Sequence, residues 1–111
     1  MLDLTKKKCV PCEGGVKPFT AEEMKKFLKE VEGWSTDGGK LRKRLVFSDF
    51  MPLIKFINEL AKLAESEGHH PDFCVHYSKL DLEIWTHAID GLSENDFILA
   101  AKIDKLYEKF R

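Results

Sequence analysis

No run of apolar residues in this chain approaches the roughly 20 that a membrane-spanning helix needs. No apolar stretch follows the N-terminal lysines Lys6-Lys7-Lys8 either, so the start does not read as a secretory signal. Net charge is nearly absent, since 18 basic residues stand against 19 acidic ones. That balance argues against nucleic acid or an anionic membrane as the main partner. Cysteine is scarce and odd in number, with three in 111 residues, which suits a reducing cytoplasmic setting better than a disulfide framework. Histidine is scarce too, yet all four fall between positions 69 and 87.

What the chain does have is core material for one domain. Apolar residues make up 43% of it, including eight Phe and two Trp. Residues 1–18 read as a flexible arm: a lysine run, Cys9-x-x-Cys12, Gly14-Gly15 and Pro18, with no periodicity. The Cys9/Cys12 pair can be half of a zinc site or a redox pair, but its Gly/Pro-rich setting favours unpaired thiols on a mobile tail. The folded domain spans 19–111. Thr20 with Glu23 forms a capping-box pattern, and Phe19 with Met24 is spaced as its hydrophobic staple. Met24, Phe27, Leu28 and Val31 make one helical stripe, which Gly33 stops.

Two short strands are expected next, Trp34–Thr36 and Leu41–Phe47, joined by a turn at Asp37-Gly38-Gly39. Lys43 interrupts the alternation of the second. Ser48 or Asp49 caps a second helix that runs to about residue 67 with a broad apolar face, and Gly68 suits its exit. Phe73–Ser78 and Leu80–His87 alternate as a hairpin, with Leu80, Leu82, Ile84 and Thr86 on one face and Trp85 and His87 on the other. Ser93 and Asp96 form a second capping-box pattern ahead of a last helix. The expected fold is α+β, αββαββα, a four-stranded antiparallel sheet with three helices packed on one face.

Histidine is the side chain whose ordinary pKa lies nearest neutrality, so a cluster of histidines can both give and take protons. His69 and His70 follow a helix-ending glycine and precede Pro71, which holds His70 extended. A hairpin would return His87 to this corner. Glu65, one helical turn before His69, can orient an imidazole. A single loop histidine is usually surface decoration, but three converging through a hairpin make a candidate acid–base site. His76 has the wrong strand parity and is expected to be exposed or at an interface. A zinc reading is weaker, because neither His-x-His nor His-x-x-x-His occurs.

Glu65-x-x-x-His69-His70-Pro71, Tyr77, Thr86-His87, Gly91-Leu92-Ser93-x-x-Asp96 and Ala100-Ala101 together resemble the pterin-4a-carbinolamine dehydratase family, over roughly residues 19–111. The resemblance implies dehydration of a 4a-hydroxytetrahydropterin to a quinonoid dihydropterin, with no metal and no redox cofactor, in pterin recycling. It makes His69, His70 and His87 the candidate catalytic set. His70 and His87 are the acid and base candidates, while His69 holds the departing hydroxyl. Glu65, Pro71, Phe73 and Asp96 are candidates for binding or orienting; Phe73 stands where many members carry tryptophan. The resemblance further implies a homodimer or homotetramer. It also raises a rival role, since some relatives act as dimerisation cofactors for a homeodomain transcription factor.

Overall fold

A computed structural model describes residues 3–7, 9, 18–37 and 39–110. Cys12, Gly14, Gly15 and Gly38, which carry part of the arm and turn readings, lie outside them. The chain forms α1 (Ala21–Leu28), β1 (Ser35–Asp37), β2 (Lys40–Val46), α2 (Phe50–Glu67), β3 (Asp72–His76), β4 (Lys79–Ile84) and α3 (Glu94–Tyr107). Short 3-10 turns occur at Leu4–Lys6 and His87–Ile89. This is the expected αββαββα order. All strand pairs are antiparallel, in the spatial order β1-β2-β4-β3. Leu41 and Leu45 of β2 and Leu80, Leu82 and Ile84 of β4 bury one sheet face against helical residues such as Leu53, Phe56, Phe97 and Ile103. Removing each such side chain from water stabilises the fold by about 1.5–3 kcal/mol before entropy is counted.

The sequence signals for helix ends are realised, with some shifts. The Thr20 hydroxyl accepts from Glu23 N at 3.2 Å, and the Glu23 carboxylate accepts from Thr20 N at 3.0 Å. Phe19 stacks on Phe27, their ring centroids 4.9 Å apart, and both reach Phe97. The helix stops at Leu28 rather than running to Gly33. Val31 is buried by a turn in which its N–H reaches Leu28 O, not by a continued helical stripe. Asp49 is the cap of α2, accepting from Phe50 N at 2.8 Å.

Lys43 does not spoil β2. It sits on the core-facing parity, and its ammonium donates to Asp104 Oδ1 at 2.8 Å and to Glu32 O at 2.9 Å. Asp104 also accepts from the Trp34 indole at 3.0 Å. Burial pushes the Asp104 carboxyl above its ordinary value, against the pull of Lys43 and Trp34. The opposite sheet face is polar. There Arg42 pairs with Glu83 at 2.8 Å and Arg44 with Asp81 at 2.6 Å, both directly across the β2–β4 ladder. Lys40 also reaches Glu83, at 3.1 Å, so the basic run of β2 is matched by acids on β4.

Both strands of the hairpin holding the histidines start one residue earlier than expected and end sooner. Tyr77 and Ser78 form the turn instead of extending β3, with Tyr77 at φ 56°. β4 ends at Ile84, not His87. Its partners run out there: Ile84 faces Leu41, near the start of β2, and β3 begins at Asp72, just after Pro71, which has no N–H to donate. Thr86 bridges to Gly91 instead, and His87 opens a 3-10 turn.

The N-terminal segment also differs from the expected loose arm where it is described. Leu4 and Cys9 are buried in the core, and the Leu4–Lys6 turn lies against α3. Lys7 pairs with Glu94 at 3.0 Å. Periodicity could not show this docking, because the segment has too few apolar residues to form a pattern.

Candidate active site

The site is built on the end of α2. Gly68 takes the left-handed conformation, φ 64° and ψ 27°. Its N–H reaches Glu65 O at 3.3 Å, while the His69 N–H reaches Ala64 O at 3.2 Å. This is a Schellman closure, which satisfies the last carbonyls and turns the chain sharply out of the helix. Among the described residues a β-carbon at Gly68 would touch nothing within 4 Å, so the glycine is needed for its φ and not for space. Pro71 then commits the chain to the extended path into β3.

His69 and His70 leave this corner in different directions and find different carboxylates. His69 Nε2 lies 2.7 Å from Asp96 Oδ1, with only 15% of the His69 side chain exposed and none of Asp96. The other oxygen of Asp96 accepts from the Thr86 hydroxyl at 2.7 Å and from Ser93 N at 2.8 Å. A carboxylate can only accept, so the proton of the His69–Asp96 pair lies on Nε2, and Nδ1 of a neutral ring is left as an acceptor. Asp96 thus serves twice. It closes the capping box of α3 with Ser93, and it fixes the orientation and tautomer of His69.

His70 Nε2 meets Glu65 Oε2 at 2.6 Å, with both side chains well exposed. An exposed pair of this kind adds little stability. It leaves His70 at the open side of the corner while His69 faces inward.

His87 is exposed and stacks on Trp85, with ring centroids 4.0 Å apart and planes 28° from parallel. Its connection to the corner runs through the preceding residue, since Thr86 bonds the same Asp96 that holds His69. The β3–β4 register contributes by pairing Asp72 with Glu83, which sets the start of β3 beside the end of β4. Trp85 Nε1 is buried and, among the described residues, has no hydrogen-bond partner. Lys40 lies over the Trp85 ring, 4.8 Å from its centre.

Of the remaining expected residues, Pro71 is half-buried at the corner, and Phe73 projects from β3 with 44% exposure. His76 is exposed and apart from the corner, 3.4 Å from Asp81 on the polar sheet face. That face carries a hollow of about 650 Å³ lined by Gly33, Arg44, Cys74, His76 and Glu83 among others, but by none of His69, His70 or His87. Its arginines are already paired across the ladder, Arg42 with Glu83 and Arg44 with Asp81, so the histidine corner is the better candidate for chemistry. Among the described residues no three His, Cys, Asp or Glu side chains are grouped closely enough to hold a metal ion.

Two contributors to the corner are not evident as site residues from sequence. Thr86 shares the core-facing parity of Leu80, Leu82 and Ile84, and a hydroxyl buried there must find an acceptor. That requirement is the available signal for its bond to Asp96. Trp85 gives no such signal, because an aromatic residue on a strand is most often core.

The geometry defines a small α+β protein with an imidazole–carboxylate corner. The sequence profile described as Pterin 4 alpha carbinolamine dehydratase matches residues 17–106. A protein of Rickettsia bellii (strain OSU 85-389), provisionally named a pterin-4-alpha-carbinolamine dehydratase, is 52% identical over 105 residues, 93% of each chain. A crystal structure from Brucella melitensis described as a transcriptional coactivator/pterin dehydratase superposes with a TM-score of 0.77 at 29% identity, covering 81% of this chain and 98% of that one. A pterin dehydratase-like protein described as a RuBisCO assembly factor in the alpha-carboxysome gives 0.56 at 26% identity, covering 66% and 84%. The chain belongs to the pterin-4a-carbinolamine dehydratase family.

Proposed function

We propose that the protein is an active dehydratase that converts a 4a-hydroxytetrahydropterin to the quinonoid dihydropterin and water. In this reaction the C4a–O bond breaks, its oxygen leaves as water after accepting a proton, and N5 gives up its proton as the N5=C4a double bond forms. His70 and His87 are the acid and base, His69 holds the hydroxyl, and Glu65 and Asp96 orient His70 and His69. Pro71 and Phe73 shape the wall against the pterin. Proton transfers of this kind contribute about 10²–10⁴-fold when the groups are well placed. The observation that carries the reading is the His69–Asp96 pair: a wholly buried carboxylate, whose other oxygen already accepts from Thr86 and Ser93, fixes one imidazole at the corner where His70 is exposed. Such an arrangement, an oriented imidazole on a buried carboxylate, suits proton chemistry.

The same reading places the enzyme in tetrahydrobiopterin recycling in the cytoplasm, as a homo-oligomer without a cofactor. Self-association is supported by β3, an edge strand exposed throughout, with Phe73 and Val75 44% and 38% exposed. That uncovered edge is also what favours a second reading, a non-catalytic dimerisation or coactivator-type module.

The test is formation of quinonoid product from freshly generated carbinolamine, with the spontaneous rate subtracted. His70→Ala and His87→Ala should each reduce the catalysed rate by about 10²-fold or more, by the usual range for general acid–base groups. Near-normal rates in both would reject the assignment. A wild-type rate no faster than background would favour the binding module.

A further inference from the structure

The N-terminal segment and Glu67 play no part in the chemistry proposed above, yet they are fastened to its framework. Glu67 is the last residue of α2, two before His69, and its side chain is only 7% exposed. Both carboxylate oxygens are used. Oε1 accepts from the Cys9 backbone N–H at 2.9 Å, and Oε2 accepts from Lys102 Nζ at 2.8 Å. Burial alone would raise the Glu67 carboxyl, but the Cys9 N–H and the Lys102 ammonium outweigh it and hold it below its ordinary value.

The partners identify what is being held. Lys102 lies on α3, the helix whose first turn carries Asp96. The Cys9 thiol lies 3.5 Å from the carbonyl of Asn95, the residue before Asp96, and Lys7 pairs with Glu94 one residue earlier still. The N-terminal segment therefore spans from the first turn of α3 to the last turn of α2. These are the two turns that supply Asp96 and lead into His69. An error of about 1 Å in the placing of such a pair can cost about 10²-fold in rate.

We propose that Glu67 is a positioning residue: by joining Cys9 of the N-terminal segment and Lys102 of α3 to the end of α2, it sets the distance at which His69 meets Asp96. The idea rests on the dehydratase reading for its consequence in turnover, but not for its consequence in geometry. Cys9 takes part through its backbone N–H and its buried thiol, and the docked segment is then a structural part of the site instead of a loose arm. A glutamine at position 67 keeps the size of the side chain but has one carbonyl oxygen and one NH2. Its NH2 would face a donor whichever way it turned, so one of the two links must fail.

The experiment uses the full chain and the variants Glu67→Gln, Lys102→Met and the double variant, with thermal unfolding to establish that each is folded. Turnover should fall about tenfold in each single variant while KM stays within about twofold, since tenfold corresponds to about 1.4 kcal/mol of transition-state stabilisation. The double variant should fall no further than the worse single, because both break one bridge. The readout independent of turnover is the ¹⁵N and Nε2-proton resonances of the His69 ring, which should shift or broaden in both singles. Wild-type His69 resonances in Glu67→Gln would overturn the proposal, as would unchanged turnover in both singles. If the wild-type protein shows no dehydratase activity, the function reading fails and the His69 resonances alone decide this one. If Lys102→Met does not fold, Glu67→Gln, which preserves shape and polarity, carries the test.

Discussion

Asp96→Asn separates the two tasks of Asp96. The side chain is wholly buried and receives three donors: His69 Nε2, the Thr86 hydroxyl and Ser93 N. Asparagine offers one carbonyl oxygen and one NH2. Two donors, Thr86 and Ser93, already converge on Oδ2, so the favoured orientation keeps oxygen there and turns the NH2 toward His69. His69 can then stay bonded only by accepting at Nε2, which moves its proton to Nδ1 and reverses the tautomer. The fold loses charge assistance in these bonds, worth about 1 kcal/mol each as the difference between charged and neutral hydrogen bonds. Some of this is recovered because every group keeps a partner, so the net loss is about 1–2 kcal/mol. For a chain of this size that lowers Tm by about 4–10 °C, scaling from the usual entropy of unfolding. On the proposed function, turnover should fall by about 10²-fold or more, far beyond what the stability loss accounts for, because Nδ1 of the hydroxyl-holding His69 would change from acceptor to donor. Calorimetry and the quinonoid-formation assay, run at a temperature where the variant is folded, measure the two effects separately. An Asp96→Asn protein with wild-type turnover would refute the claim that Asp96 sets the state of His69. A variant that is inactive because it is unfolded at room temperature would refute the magnitude.

Other substitutions test the same framework. Gly68→Ala puts a β-carbon in a left-handed conformation with no neighbour to clash among the described residues, so it should cost about 1–2 kcal/mol from φ alone, read as a lower denaturant midpoint with unchanged slope. In a Cys12→Ser/Cys74→Ser protein the remaining Cys9 should resist thiol reagents at mildly alkaline pH unless denaturant is added, because burial and the neighbouring Glu67 push its thiol up to about 12. Reaction as fast as a free thiol would show that the segment is not docked. Glu67, held below its ordinary value, stabilises the fold fully above the unfolded carboxylate pKa of roughly 4.3, and that stabilisation is lost as pH falls through the lower folded value. Urea midpoints measured from about pH 6 down to about pH 3 should therefore fall less steeply in Glu67→Gln than in the wild type.

The parts of this protein that the sequence discloses are those decided by nearby residues. Both capping boxes, Thr20 with Glu23 and Ser93 with Asp96, involve partners three positions apart. The exit at Gly68 depends on one residue's tolerance of positive φ. The histidine corner is legible for the same reason, because Gly68 and Pro71 flank it and the hairpin period returns the chain toward it. The end of β4 is not legible: alternation continues through Trp85 and His87, while the ladder stops where β2 and β3 stop providing partners. Lys43 misleads in a related way. A charge at a core-facing position looks like a broken pattern until Asp104, 61 residues on, is seen to receive it.

Asp96 shows most clearly why a site is harder to read than a fold. Its position three residues after Ser93 explains it completely as a helix cap, so local reasoning has no cause to ask more of it. Only one oxygen is engaged by the cap and Thr86; the other is free to receive His69, 27 residues away. A capping carboxylate has two oxygens, and the fold buries this one completely, so an unused oxygen would be an unsatisfied acceptor in the core. Burial of the first turn of α3 is therefore enough to require a donor close by. Of the polar residues that the hairpin brings near, His69 is the one placed to answer, because the Schellman turn directs it inward. The same logic applies to Glu67, whose two oxygens also bind two separate elements. In this protein the end of one helix and the start of another are held by carboxylates with divided duties, and the histidine between them takes its orientation from that division.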